Sequence, residues 1–279
     1  MLCLPTVLWQ GGGWVTPPVV LTIGSSDSGG GGGIQGDLRT LAALKAYGAS
    51  VVTGVFAQNS RGIADVYALP GTVVALQLGT VLEDMPPAAT KTGAFASAEA
   101  CAAVTARARG GALPNLVVDP VLDSARGARK GVVAALERLL PHALVATPNR
   151  EEASVLLGWQ VATPADMAGA AAQLASNGPK FVVITGGDFV AGQDAIDVMW
   201  VEGSARTLHA PRIKRRAYGS GGSFAAAIAV RLALGDSPPD AVAYAKSFVT
   251  KAIGDAAEWK IGTGAAAMDP FGWSSVALS

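Results

Sequence analysis

LTIGSSDSGGGGGIQGDLRT, residues 21–40, passes from an apolar strand through a glycine-rich loop into a helix. Such a passage presents backbone N–H groups and a helix N-terminus to an anion or polar ligand. A loop needed only for close strand-to-helix packing would read the same way, so both readings stay open. Gly31, Gly33 and Gly36 fit G-x-G-x-x-G by spacing. A dinucleotide fold would also set an acid about 20 residues on, at the end of the next strand, to hold the ribose. That strand ends Val55-Phe56-Ala57-Gln58-Asn59, with no acid, and no G-K-[ST] follows the glycines, which excludes a Walker A loop.

Outward from this segment, short β-branched runs alternate with alanine- and leucine-rich stretches. Strands are expected at 19–23, 51–55, 116–119, 144–147 and 181–185. Helices are expected at 34–47, 71–82, 97–109, 130–140, 150–157, 164–177, 221–234 and 238–256, several opened by Pro, Ser or Thr. This alternation predicts an α/β fold with a mostly parallel sheet covered on both faces, and ligands at the carboxyl ends of its strands. Residues 1–18 have no positive n-region and no A-x-A signal; they are expected to be a flexible leader before a single domain over 19–273.

Composition narrows the partners. The 279 residues carry 21 basic and 21 acidic side chains, so no positive excess points to nucleic acid or an acidic membrane, and a small molecule is the default. No apolar run is long enough to span a bilayer, and Cys3 and Cys101 make neither a disulfide framework nor a metal-ligand spacing, which suits the cytoplasm. A Ser-His-Asp hydrolase lacks its G-x-S-x-G elbow; His142 at a helix end and His209 in a turn-like LHAPR read as surface or capping residues. The tryptophans Trp159, Trp200, Trp259 and Trp273, without basic interleaving, read as packing or interface residues.

Three further places carry polar chemistry. Gly219-Ser220-Gly221-Gly222-Ser223 opens an alanine-rich helix and could aim free N–H groups at a transferring phosphoryl group, or could simply be an N-cap by Ser220 or Ser223. Asp119 in VVDPV and Glu151-Glu152 in TPNREEA follow strands, where carboxylates can hold Mg²⁺ through water or merely favour a helix N-terminus. Lys91 of KTG reads equally as a phosphate ligand or a surface strand end.

In order, LTIGSSDSGGGGGIQGDLRT, AYGASVVTGVFAQNSRG, KTG, VVDPV, TPNREEA, ITGGD and YGSGGSFAAAIA resemble the hydroxymethylpyrimidine and phosphomethylpyrimidine kinases of thiamine biosynthesis, in the ribokinase-like superfamily. The resemblance covers about Val19 to Trp273 and implies a three-layer α/β/α sandwich. It also implies ATP- and Mg²⁺-dependent phosphorylation of 4-amino-5-hydroxymethyl-2-methylpyrimidine and its monophosphate, by a homodimer. By the same resemblance Gln58, Asp37, Ser25 and Ala94 stand at the pyrimidine; Asn149, Thr185, Gly186 and Gly187 near the nucleotide; Asp119 and Glu152 at Mg²⁺; and Gly219, Ser220, Gly221 and Gly222 at the anion-hole turn. The chain departs from the family pattern at several of these positions. Gly222 stands where the family has its presumed general base, cysteine or aspartate; Thr185 and Asp188 replace the lysine and histidine of K-G-G-H; Ala94 replaces a methionine and Ser25 a glycine. A lost general base costs about 10²–10⁴-fold in rate. A kinase using water or Asp37 as proton acceptor, a pyrimidine-binding descendant without turnover, and a kinase of pyridoxal-type alcohols are the three functions this pattern allows.

Overall fold

The computed structural model describes residues 16–122, 130–187, 194–215 and 217–275. Cys3 and Asp188, and nearly all of the expected leader, lie outside them.

Among the described residues nine strands form one sheet in the order β3-β2-β1-β4-β5-β6-β7-β8-β9. They are β1 (Val19–Asp27), β2 (Tyr47–Asn59), β3 (Gly62–Ala68), β4 (Ala89–Thr92), β5 (Leu116–Val118), β6 (Val145–Ala146), β7 (Phe181–Thr185), β8 (Asp194–Val201) and β9 (Ser204–Pro211). From β2 through β7 the neighbours pair in parallel; β3, β8 and β9 are antiparallel additions at the two edges. The expected mostly parallel sheet holds. His209 corrects one expectation: it lies in β9, a mostly exposed edge strand, and not in a turn.

The helices are α1 (Gly33–Ala43), α2 (Gly71–Asp84), α3 (Ala98–Arg109), α4 (Lys130–Leu139), α5 (Arg150–Leu157), α6 (Pro164–Ser176), α7 (Ser220–Ala233) and α8 (Pro238–Asp255). Alternate residues of a strand face opposite sides. Thus Leu21 and Ile23 of β1 pack with α2 through α6, while Val20 packs with α1, α7 and α8. Both faces of the central strands are buried, which is why these strands read as apolar runs rather than alternating ones. α7 needs small residues to lie close on the sheet: Ala225, Ala226, Ala227 and Ala229 are all fully buried. No described helix is long and apolar enough to cross a membrane.

The chain leaves β1 for β2 on one side and returns to β4 on the other. The β1–β4 boundary is therefore the switch point at which open α/β sheets form their ligand crevice.

Candidate active site

The glycine loop after β1 turns inward. Asp27 ends β1, buried, and its Oδ1 accepts the Gly29 N–H at 2.8 Å while Oδ2 accepts that of Gly32 at 2.8 Å. The Gly30 N–H goes to the Asp27 carbonyl at 3.0 Å. The N–H groups of Gly29, Gly30 and Gly32 are thus bonded to Asp27 within the loop, which for these three favours the packing reading of the two left open. Tyr218, from the second glycine turn, donates to Asp27 Oδ2 at 2.5 Å and lays its ring on Gly31, where a Cβ would meet Cδ1 at 2.3 Å. Burial and then the adjacent Asp27 raise the Tyr218 phenol well above its ordinary value, so it acts as a donor. An aspartate ahead of a glycine run is a recognised acceptor for following N–H groups, a signal that could have found Asp27 in the sequence.

The second turn opens α7. Its N-cap is Gly219, in the left-handed region at φ 81°, with no side-chain cap; the serines do not cap the helix, because the turn is closed by backbone geometry instead. A Cβ on Gly219 would lie 1.9 Å from the Gly31 carbonyl oxygen, so the two glycine turns meet backbone to backbone. Only a residue with no Cβ fits both that contact and that φ.

Across the switch point, Thr22 of β1, Asp37 of α1 and Lys91 of β4 form a buried cluster. Thr22 Oγ1 donates to Asp37 Oδ2 at 2.5 Å, and Lys91 Nζ donates to Oδ2 at 2.8 Å and to Oδ1 at 3.0 Å. Lys91 Nζ also stands 3.9 Å from Asp119 Oδ2. Lys91 is therefore a central buried cation and not a surface strand end. Gly222 lies against this cluster, with a virtual Cβ 3.3 Å from Asp37 Oδ1.

Asp119 follows β5 and Glu152 lies in the first turn of α5. Burial pushes the Asp119 carboxyl up to about 6, opposed by Lys91 and assisted by Asp37, and its buried Oδ2 has no hydrogen-bond partner among the described residues. Burial, with the charge of Asp119 next, pushes Glu152 up to about 8. Asn149 and Glu152 form a capping box: the Asn149 side chain accepts from Glu152 N at 2.9 Å, and Glu152 Oε2 accepts from Asn149 N at 2.8 Å. Asn149 pairs with Thr185, placing that residue beside α5. Gly186 donates its N–H to Asp197 Oδ1 at 3.0 Å, and Asp197 is held by Lys246 at 2.7 Å, whereas Gly187 faces open space. Among the described residues no three His, Cys, Asp or Glu side chains gather as a metal cage. Two raised carboxylates and an orphaned oxygen nevertheless fit a hard cation that keeps several waters.

Gln58 and Gly219 line a cavity of about 710 Å³, and Tyr218 walls it off from a second of about 340 Å³ beside the stacked Trp259, Trp273 and Phe271. Ser25 and Asp37 are buried, Ala94 is half-buried, and none of the three lines either cavity.

A family model, phosphomethylpyrimidine kinase, matches residues 27–269. The chain is 43% identical over 265 residues to the hydroxymethylpyrimidine/phosphomethylpyrimidine kinase of Streptomyces coelicolor, covering 93% of this chain and 96% of that one. Bacillus subtilis pyridoxal kinase, solved as an ADP complex, superposes with a TM-score of 0.87 at 31% identity, covering 92% of this chain and 99% of that one. Phosphomethylpyrimidine kinase from Clostridium difficile superposes with a TM-score of 0.74 at 33% identity, over 85% of this chain and 99% of that one. With the nine-stranded sheet and its glycine turns, these matches place the chain in the phosphomethylpyrimidine kinase family, on a ribokinase-like fold.

Proposed function

We propose that the protein transfers the γ-phosphoryl group of ATP to the hydroxymethyl group of 4-amino-5-hydroxymethyl-2-methylpyrimidine, and then to the monophosphate. The observation that supports this most is the meeting of the α7 N-terminus with Lys91, Asp37 and Asp119 at the β1–β4 switch point. Free N–H groups and a buried cation there suit a transferring phosphoryl group, whose transition state asks chiefly for positioning and charge. Gly219, Ser220, Gly221 and Gly222 would supply the N–H groups. Asp119 and Glu152 would hold Mg²⁺, which supplies charge neutralisation of the nucleotide phosphates when bound. Asn149, Thr185, Gly186 and Gly187 would face the nucleotide. The Gln58 amide would supply the paired donor and acceptor that an aminopyrimidine needs; by the family resemblance Ser25 and Ala94 would also stand near the ring, although neither lines the Gln58 cavity.

A second reading, a kinase of pyridoxal-type alcohols, is favoured by the closer superposition on pyridoxal kinase, 0.87 against 0.74. A coupled ADP-release assay separates them. ADP should appear with the pyrimidine alcohol and Mg²⁺, disappear without Mg²⁺, and show a higher kcat/KM than with pyridoxal. Higher kcat/KM for pyridoxal establishes the second reading, and tight pyrimidine binding by calorimetry without ADP establishes a non-catalytic binder.

A further inference from the structure

Gly222 has no backbone reason to be glycine. It lies in the first turn of α7, a helical conformation open to any L-residue, unlike Gly219 with its positive φ. What glycine provides is space. A Cβ there would stand 3.3 Å from Asp37 Oδ1 and 3.7 Å from Lys91 Nζ, with no other described atom outside its own helix within 4 Å. The two carboxylate oxygens of Asp37 are unequally occupied. Among the described residues Oδ2 accepts from Thr22 and Lys91, while Oδ1 accepts from Lys91 alone and is the oxygen that faces Gly222. A carboxylate oxygen has two lone pairs, so Oδ1 keeps one toward the gap.

We propose that Asp37 is the proton acceptor of the phosphoryl transfer, and that Gly222 is the opening through which the substrate hydroxyl reaches it. The proposal rests on the kinase reading and deepens it. The hydroxyl enters over Gly222 and donates to Asp37 Oδ1. Its oxygen bonds to the γ-phosphorus as the bond from that phosphorus to the bridging oxygen breaks; the bridging electron pair leaves on ADP and the hydroxyl proton passes to Asp37, which later gives it to solvent. Lys91, bonded to both oxygens, holds the carboxylate in place. In a loose transition state the attacking oxygen becomes acidic as it bonds, so a well-placed carboxylate suffices to take its proton. The same geometry explains how position 222 can lack a base.

The test compares Gly222→Ala, Gly222→Cys, Asp37→Asn and the double variant Asp37→Asn/Gly222→Cys in the ADP-release assay with the pyrimidine alcohol. Pyrimidine binding and melting temperature are measured on each. Gly222→Ala fills the opening without bringing a base and should lower kcat by about 10²-fold with binding retained, whereas Gly222→Cys fills it with an acceptor of its own and should turn over at least about tenfold faster than Gly222→Ala. Asp37→Asn should cost about 10²–10³-fold in the parent and less than about tenfold in the Gly222→Cys background. Gly222→Ala at the parent rate, or an equal loss for Asp37→Asn in both backgrounds, overturns the proposal while leaving the kinase reading intact. If Asp37→Asn does not fold, the Gly222→Ala rate decides alone. A parent that forms no ADP with the pyrimidine alcohol or pyridoxal overturns both.

Discussion

Tyr218 joins two loops 191 residues apart through its hydroxyl, which donates to Asp27 and is also hydrogen-bonded to the Gln58 side chain. The acceptor is a carboxylate, and a bond to a charged partner contributes about 1.5–3 kcal/mol. Tyr218→Phe keeps the ring on Gly31 and should lower unfolding free energy by up to that amount, read from the urea midpoint. Gly219→Ala should cost more, since the strained φ alone costs about 1–3 kcal/mol and the new Cβ meets the Gly31 carbonyl. Both losses should appear with the slope of the urea transition unchanged. At this scale the sequence showed Gly219, Asp119 and Glu152 through their places after strands and before helices. Asp27 stayed hidden, and Lys91 stayed undecided between a phosphate ligand and a surface strand end, because their roles come from partners distant in the chain. Asp27 needs a tyrosine from another turn, and Lys91 needs an aspartate from a helix on the sheet's face.

Among the elements, α5 and the end of β5 carry the site's electrostatics. Glu152 and Asp119 are raised, mainly by burial, to about 8 and about 6. Their protonated forms are favoured in the fold, so the stability they contribute is present below their unfolded values near 4 and is lost as pH rises through about 8. Without divalent cation, melting temperature should therefore fall between about pH 5 and 8; Mg²⁺ should restore more of it at the upper end, and Glu152→Gln should flatten the profile. Scanning calorimetry across that range checks all three. Most helices were legible to within two residues, helped where caps are written in the chain: Ser97, Asn149, Thr163 and Ser237 each accept a first-turn N–H. The exception is α1, expected to run to Tyr47, which ends at Ala43 before β2 starts at Tyr47. Four strands were not foreseen. β3 and β9 lie at the sheet's edges with mostly exposed side chains, so no buried face imposed an apolar pattern. β4 is fully buried yet spells Ala-Thr-Lys-Thr, because its polar side chains build the site rather than the core. β8 mixes Asp194 and Asp197 with its apolar residues, which interrupts the apolar run of a buried strand.

Across the whole molecule, β1 is near the middle of the sheet although it comes first in the chain, and α7 and α8 close the face that Val20, Val117, Val145 and Val183 present. A chain ending at Arg215 has every strand but neither covering helix. It should bind a hydrophobic dye strongly and lose cooperative unfolding, while the full chain does neither. The order of synthesis gives this arrangement a cost in time. A nascent chain emerges with its sheet-forming segments ready and one apolar side bare until the last fifth has been translated. The cell must shield that surface for the length of a ribosomal transit, so slow codons or a weak chaperone supply would reduce the yield of this protein before any defect in chemistry could be seen.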